Sequence, residues 1–275
     1  MPELPEVEIT RLGIAPHITG RVVTGVVIRH PQLRWPVPQR LGALLTGQAV
    51  QSVDRRAKYL LLAFAHGTLI LHLGMSGSLR IIDAVEPAGV HDHFDLVFGA
   101  TAMRLRDPRR FGAVLWCAEP TVATHPLLAH LGAEPLSDAF TADLLYLATR
   151  GRKQAIKLVL MDHRVVVGVG NIYANESLFR AGIRPTMAAG RLTRAAAARL
   201  VDAVRATLND ALAAGGSSLR DFIHTDGSAG YFQQHYFVYG REGDNCRRCD
   251  TPIRRIVQAQ RATFYCSRCQ PSRPA

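Results

Sequence analysis

Near the carboxyl end, Cys246 and Cys249 form one C-x2-C pair and Cys266 and Cys269 a second, with sixteen residues between the pairs. Each pair can aim two thiolates at one metal, and a hairpin of the intervening length brings the two turns together. This spacing belongs to tetrahedral four-cysteine zinc sites. A catalytic zinc keeps a coordination position open, so four sulfur ligands specify one structural Zn2+. Two disulfides are the alternative, which a reducing cytosol disfavours. The fifth cysteine, Cys117, stands alone in the apolar stretch RFGAVLWCAE and reads as a small core residue.

The segment between the pairs carries Arg254, Arg255, Gln258, Gln260 and Arg261. Across residues 240–275, eight Arg/Lys stand against three Asp/Glu, so +5 of the chain's formal +11 charge lies in 36 residues. A single surface arginine is only a solvated charge; this many on a rigid zinc hairpin suit phosphate or groove contacts. The excess over the whole 275-residue chain favours a polyanionic partner, because each neutralised phosphate releases counterions. An anionic membrane would ask for a basic amphipathic helix, and none is evident. No apolar run reaches the ~18 residues of a membrane span. No basic stretch followed by an apolar core marks a signal peptide. A soluble cytosolic protein that binds nucleic acid is the expectation.

Two further segments hold candidate groups. The chain opens MPELPEVEIT, where Pro5 suits a first helical position and Glu3, Glu6 and Glu8 suit the positive end of a helix dipole. Centrally, GVGN (168–171) precedes NIYANESLF. It matches only part of a dinucleotide fingerprint and lacks the βαβ context. A helix beginning there presents free backbone N–H groups that suit a phosphate, and a plain helix-joining turn is the alternative.

These groups need elements to hold them. Between about residues 20 and 120, RVVTGVVIRH, YLLLAFAHGTLILHLG, HFDLVFG and FGAVLWCA are rich in Val, Ile, Leu and Phe and are punctuated by Gly, Pro and Asp. Short strands at near-regular spacing predict a sandwich or barrel. After LGAEPL (131–136) the spacing turns helical in DAFTADLLYLATR, RKQAIKLVLMD, NIYANESLFRAG and TRAAAARLVDAVRATLNDALAAGG, the last stopping at Gly215-Gly216. The chain is therefore α+β in three blocks: 1–133, a β domain with an N-terminal helix; 134–239, helical; and 240–275, a zinc-finger hairpin.

Several ordered motifs carry a resemblance to a known family: PELPEVE, RRAKYLLL (55–62), HLGMSGSLR (72–80), HDH (91–93), DPRRFG (107–112), GVGNIYANESLF (168–179) and QRATFYC (260–266). Together they resemble the formamidopyrimidine-DNA glycosylase family of bacterial base-excision repair enzymes, essentially end to end. PELPEVE and DPRRFG favour this branch over the endonuclease VIII branch, which prefers oxidised pyrimidines. The resemblance implies an N-terminal β-sandwich with flanking helices, then a helix–two-turn–helix domain with the zinc finger, and DNA in the cleft between. The implied partner is double-stranded DNA bearing oxidised purines, chiefly 8-oxoguanine and formamidopyrimidines, or abasic sites. The implied protein is a cytoplasmic, nucleoid-associated monomer with no membrane attachment.

The chemistry of such an enzyme asks for an amine that forms a Schiff base with the sugar and then eliminates phosphate. An α-amino group of pKa about 8 is roughly a tenth unprotonated at pH 7, whereas a lysine near 10.4 is unprotonated to well under about a thousandth. The resemblance implies Pro2 as nucleophile after removal of Met1, with Glu3 as general acid/base beside it and Glu6 supporting the site. Lys58 and Arg261 match groups that act with the catalytic centre by contacting phosphates around the lesion. His91, Asn171, Lys157 and Arg109 match DNA-binding positions. Met75, Arg109 and Phe111 match the trio that fills the gap left by the extruded base; their thioether, guanidinium and ring suit filling the stack, steadying the orphan cytosine and wedging the duplex. A non-catalytic zinc protein that binds DNA is the rival class, and Pro2 followed by Glu3 argues against it. The segment 215–234 is rich in Gly and Ser, as a lid over the flipped base would be. Leu158 stands where the family often has proline, which raises a local change of helix geometry.

Overall fold

The computed structural model describes residues 2–118, 122–216 and 236–272. They fall into two compact units, one made of the chain up to Ala129 with 214–216, the other of His130–Ala213 with 236–272. The lid expected in 215–234 lies, from residue 217 onward, outside the described residues.

The first unit opens with α1 (Leu4–Ile18), whose Leu4, Val7, Thr10, Ile14 and Ile18 recur every three or four residues and are all buried. After β1 (Gly25–Ile28) and α2 (Leu41–Leu45) come β2 (Ser52–Arg56), β3 (Tyr59–Phe64), β4 (Gly67–His72), β5 (Ser78–Asp83), β6 (Asp92–Phe98), β7 (Thr101–Arg106) and β8 (Ala113–Ala118). They pair antiparallel as two four-stranded sheets, in the orders β1-β6-β7-β5 and β2-β3-β4-β8. Leu60, Leu62 and Phe64 alternate inward along β3, and Phe94, Leu96 and Phe98 along β6. Both sets share one core with Leu79, Met103 and Leu105 and with Val7, Ile14 and Ile18 of α1. Two sheets facing across one core make a sandwich, as the strand spacing predicted. Each such side chain contributes about 1.5–3 kcal/mol when fully buried. Cys117, read from sequence as a core residue, is instead half-buried, because β8 is an edge strand.

The second unit contains α3 (Ala142–Thr149), α4 (Ile156–Leu160), α5 (Asn171–Arg180), α6 (Arg194–Ala213) and the hairpin β9 (Ile253–Gln258)–β10 (Arg261–Cys266). Thr141 caps α3 by accepting from the Leu144 amide at 3.0 Å. Every residue of α5 from Ile172 to Phe179 is buried, including the carboxylate of Glu176. Burial pushes the Glu176 carboxyl up, against three amides that donate to it, those of Phe237, Val238 and Tyr239 at 2.9, 3.0 and 2.8 Å. Phe179 joins Val238, Cys246, Ile253, Phe264 and Cys266 in one core, so the zinc module packs on α5. Leu158 sits in the first turn of α4, where its amide donates to the Ala155 carbonyl at 3.0 Å. A proline at this position would forfeit no i→i−4 bond but would lose this i→i−3 one.

The helix stop expected at Gly215-Gly216 is present, with φ of 75° and 79°. Gly216 packs beside α1 within the first unit, and a Cβ there would lie 3.0 Å from Ile9 Cδ1 and 3.4 Å from Glu6 Oε1.

Candidate active site

Pro2, Glu3 and Glu6 are all buried at the start of α1. Glu3 is the N-cap, and a reciprocal capping box closes over it. The Glu3 carboxylate accepts from the Glu6 amide, and the Glu3 amide donates to Glu6 Oε2 at 2.8 Å. Glu8, one turn on, is bound differently: Arg11 donates to it at 2.7 Å and Arg55 at 2.9 Å. Burial opposes its ionisation, but the two guanidiniums outweigh that and hold its carboxyl below the usual range. Glu8 thus ties α1 to β2, while Glu3 and Glu6 remain directly behind Pro2.

Lys58 lies on the two-residue turn between β2 and β3, where Ala57 has a φ of 54°. Left-handed backbone on a non-glycine residue is uncommon, and here it is fixed by Arg55, which donates to the Ala57 carbonyl at 2.8 Å. His72 ends β4, and its Nδ1 accepts from the Gly74 amide at 3.0 Å. Burial first, then the charges of Lys58 and Arg34, lower this imidazole to about 4, so it is neutral with its proton on Nε2.

Met75, Arg109 and Phe111 occupy the β4–β5 and β7–β8 connections of this same unit, and all three are exposed. The Arg109 guanidinium lies 4.9 Å from the Phe111 ring centroid. His91 begins the HDH stretch that leads into β6, and its carbonyl accepts from the Asp107 amide at 2.9 Å. The loop before it is anchored by fully buried Arg104, which donates to both oxygens of Asp95 at 2.9 and 2.9 Å and to the carbonyls of Glu86 and Pro87.

In the second unit, Asn171 opens α5 after Gly170, the N-cap, and its side-chain amide donates to the Ala262 carbonyl at 3.0 Å. Arg261, next to Ala262, is exposed at the start of β10, as are Arg254 and Arg255 on β9. The tip joining the two strands is a two-residue turn with Ala259 at φ 45° and Gln260 at φ 61°. Lys157 departs from the expectation of an ammonium offered to DNA. It is fully buried, and its Nζ donates to Thr263 Oγ1 at 2.7 Å and to the Ala262 carbonyl at 3.0 Å. Two donors from α4 and α5 thus converge on the carbonyl beside Arg261. Reading the sequence missed this, and it also missed Glu176, Gln270 and Asp107, although Glu176 lay in GVGNIYANESLF and Asp107 in DPRRFG, two motifs that drew attention.

The sulfur atoms of Cys246, Cys249, Cys266 and Cys269 all lie within 4.8 Å of one another. Individual separations are 3.9 Å for Cys246–Cys269, 3.4 Å for Cys249–Cys266 and 3.5 Å for Cys249–Cys269. Zn–S bonds of about 2.3 Å in a tetrahedron put sulfurs about 3.8 Å apart, so the cluster has the dimensions of a four-thiolate zinc site. The amides of Arg248 and Cys269 donate to the Cys246 and Cys266 sulfurs at 3.4 and 3.4 Å. Hydrogen bonding from Thr251 lowers the Cys249 thiol to about 6, whereas burial and the neighbouring sulfurs push Cys269 up. Thiolates this close need a cation among them to ionise together. The site holds one structural zinc, with Gln270 behind it: its Oε1 accepts from the Cys266 amide at 3.0 Å and its Nε2 donates to the Ile183 carbonyl at 2.8 Å. Among the described residues, no helix is long and apolar enough to cross a membrane.

Three family models match the chain: "Formamidopyrimidine-DNA glycosylase N-terminal domain" over residues 1–114, "Formamidopyrimidine-DNA glycosylase H2TH domain" over 131–223, and "Zinc finger found in FPG and IleRS" over 243–271. The formamidopyrimidine-DNA glycosylase of Aromatoleum aromaticum is 62% identical over 270 residues, covering 98% of this chain and 99% of the relative. That of Herminiimonas arsenicoxydans is 57% identical over 272 residues, covering 98% of this chain and all (100%) of the relative. Among solved structures, the MutM (Fpg) protein of Thermus thermophilus superposes with a TM-score of 0.88 at 40% identity, over 99% of this chain and 100% of the other. The Lactococcus lactis Fpg solved with DNA containing an abasic site has a TM-score of 0.91 at 32% identity, over 98% of this chain and 99% of the other.

Proposed function

The chain belongs to the formamidopyrimidine-DNA glycosylase family, and from that premise we propose that it excises oxidised purines from duplex DNA through the amine of Pro2 and then cleaves the strand at the resulting abasic site. It does so as a monomer in the bacterial cytoplasm, on nucleoid DNA, with segments 1–133, 134–239 and 240–275 dividing the work. The observation that carries the reading is a buried carboxylate, Glu3, directly after Pro2 and closed into a reciprocal pair with Glu6.

With Met1 removed, Pro2 bears a secondary amine. Its lone pair attacks C1′ of the extruded nucleotide, the C1′–N bond breaks, and the base leaves with a proton. Glu3 protonates the ring oxygen, the sugar opens, and a C1′ iminium remains. A secondary amine leaves no N–H on that iminium, so it stays cationic and draws electrons. Loss of the C2′ proton then expels the 3′ phosphate, a second elimination expels the 5′ phosphate, and water releases Pro2. Lys58, His91, Asn171 and Arg261 contact phosphates in this reading, and Met75, Arg109 and Phe111 enter the space the base has left. Lys157 serves DNA binding through the hairpin it holds. Bound zinc supplies no step; Cys246, Cys249, Cys266 and Cys269 hold it, and it keeps the hairpin rigid.

Borohydride trapping tests the proposal. The protein is incubated with a duplex carrying 8-oxoguanine opposite cytosine, and any covalent adduct is mapped. An adduct at Pro2 is expected. One at Lys58 would move the nucleophile, and none from a preparation that binds DNA would overturn the lyase reading. Intact mass adds a check, because retained Met1 is incompatible with an amine at Pro2.

A further inference from the structure

Outside the capping box, Asp107 is a buried group of the first unit that bonds through its side chain and its backbone alike. It is fully buried, and each of its polar atoms reaches a different part of the surface that carries Met75, Arg109, Phe111 and His91. Its Oδ1 accepts from the Ser76 hydroxyl at 3.0 Å, and its Oδ2 accepts from the Gly112 amide at 2.7 Å. Its carbonyl accepts from the Arg110 amide at 3.1 Å and from His93 Nε2 at 2.9 Å, and its own amide donates to the His91 carbonyl. Ser76 is 4% exposed, and its oxygen also accepts from the Arg109 amide at 3.3 Å. Both connections are therefore tied through one carboxylate and one hydroxyl.

The fit around this pair is close. A Cβ on Gly74 would overlap the Phe111 backbone carbon, and one on Gly112 would lie 2.8 Å from the His72 carbonyl oxygen and 2.9 Å from Asp107 Oδ2. Backbone thus meets backbone with no side chain between. Arg110, between the two outward residues, has a φ of 58°, a left-handed conformation held by the turn that Asp107 closes. Ser76 and Gly112 each adjoin one of the outward side chains, Met75 and Phe111, and Arg109 hangs from the Ser76 oxygen itself.

We propose that Ser76 and Asp107 are positioning residues that lock Met75, Arg109 and Phe111 into one preassembled wedge, so that the three enter the base stack together. This rests on the glycosylase reading. Filling an emptied stack demands side chains already in place, because ordering them during extrusion would slow the step that competes with re-stacking.

The test compares Ser76→Ala, Asp107→Ala and Asp107→Asn in the full chain. Asparagine keeps an acceptor for the Gly112 amide and can donate to the Ser76 oxygen, so it should rescue. Single-turnover excision of 8-oxoguanine opposite cytosine should fall about tenfold or more in Ser76→Ala and Asp107→Ala, and stay within about threefold of the unsubstituted rate in Asp107→Asn. Scission of a single-stranded oligonucleotide bearing a preformed abasic site, which has no stack to open, should be unchanged in all three. Amide exchange at Arg109 and Gly112 in the free protein should accelerate in the two alanine variants. Duplex excision at the unsubstituted rate, or equal loss on duplex and single strand, would overturn the proposal. No excision by the unsubstituted chain would instead overturn the glycosylase reading, while the exchange rates would still report whether the clamp exists.

Discussion

The Glu3 amide lies 2.8 Å from Glu6 Oε2, and the Glu3 carboxylate answers by accepting the Glu6 amide. Each carboxylate thus satisfies the backbone of the other, and both are buried. Glu6→Ala leaves the Glu3 amide without its acceptor, so it should destabilise the protein by about 1–3 kcal/mol and loosen the turn behind Pro2. Glu6→Gln, whose oxygen can still accept, should retain most of that stability. Chemical denaturation of the two variants checks the order. Glu3→Gln keeps the cap but cannot move a proton, so excision should fall by about 10²–10⁴ with an unchanged melting temperature.

Lys157 and Arg261 should behave differently in salt. Arg261 is exposed on the hairpin, and its replacement by alanine should reduce the dependence of DNA affinity on salt by about one counterion. The Lys157 ammonium already sits on Thr263 and Ala262. Lys157→Met should therefore lower stability by about 1–3 kcal/mol and weaken binding without changing the salt slope. Titrations at several salt concentrations read both, and a slope reduced by one in Lys157→Met would put its ammonium on a phosphate.

Acid should act on the first unit in two stages. His72 must be neutral to accept the Gly74 amide, and its folded value of about 4 lies below the unfolded value of 6.5. The unfolded state therefore binds the proton more readily, and stability present above pH 6.5 is lost as pH falls toward about 4. The full effect is about 3 kcal/mol. Glu8 and Asp95, both held low by arginines, contribute their losses only at more acidic pH. His72→Asn places an acceptor oxygen near the Nδ1 position without the titration. Denaturation midpoints should fall more between pH 7 and pH 4 for the histidine protein than for the asparagine variant, which keeps His93, another histidine whose pKa burial lowers.

Zinc removal should be felt beyond the cysteines. Cys246 and Cys266 share a core with Phe179 of α5, and Gln270 joins the Cys266 amide to Ile183. Chelation, or Cys246→Ser, should melt the β9–β10 hairpin, release Arg261 from its fixed position and lower DNA affinity about tenfold or more. Fluorescence anisotropy with a labelled duplex measures it, and unaltered binding by a protein verified as zinc-free would contradict it.

What the sequence made legible was what repeats or travels in short motifs. The zinc ligands follow from cysteine spacing, the sandwich from alternating runs such as Leu60, Leu62 and Phe64, and the α6 stop from paired glycines. Lys157 was opaque because its burial depends on Thr263, 106 residues away, and no local pattern encodes that. Asp107 was visible as part of DPRRFG, but its role as a hub requires Ser76 on another connection. Cys117 failed for a related reason: its neighbours are apolar, yet burial was decided by β8 lying at a sheet edge.

The place of Gly216 sets an order of events during synthesis. It rests against Ile9 and Glu6, so the helix that begins the chain receives one of its contacts from a residue made 210 positions later than Glu6. A ribosome adding about 5–20 residues per second takes about 10–40 s to cover that distance. Through that interval the second unit's helices α3 to α6 are emerging while α1 still lacks this neighbour. A nascent chain arrested before residue 216 should accordingly have a first unit whose opening turn is more accessible to protease than that of the released protein.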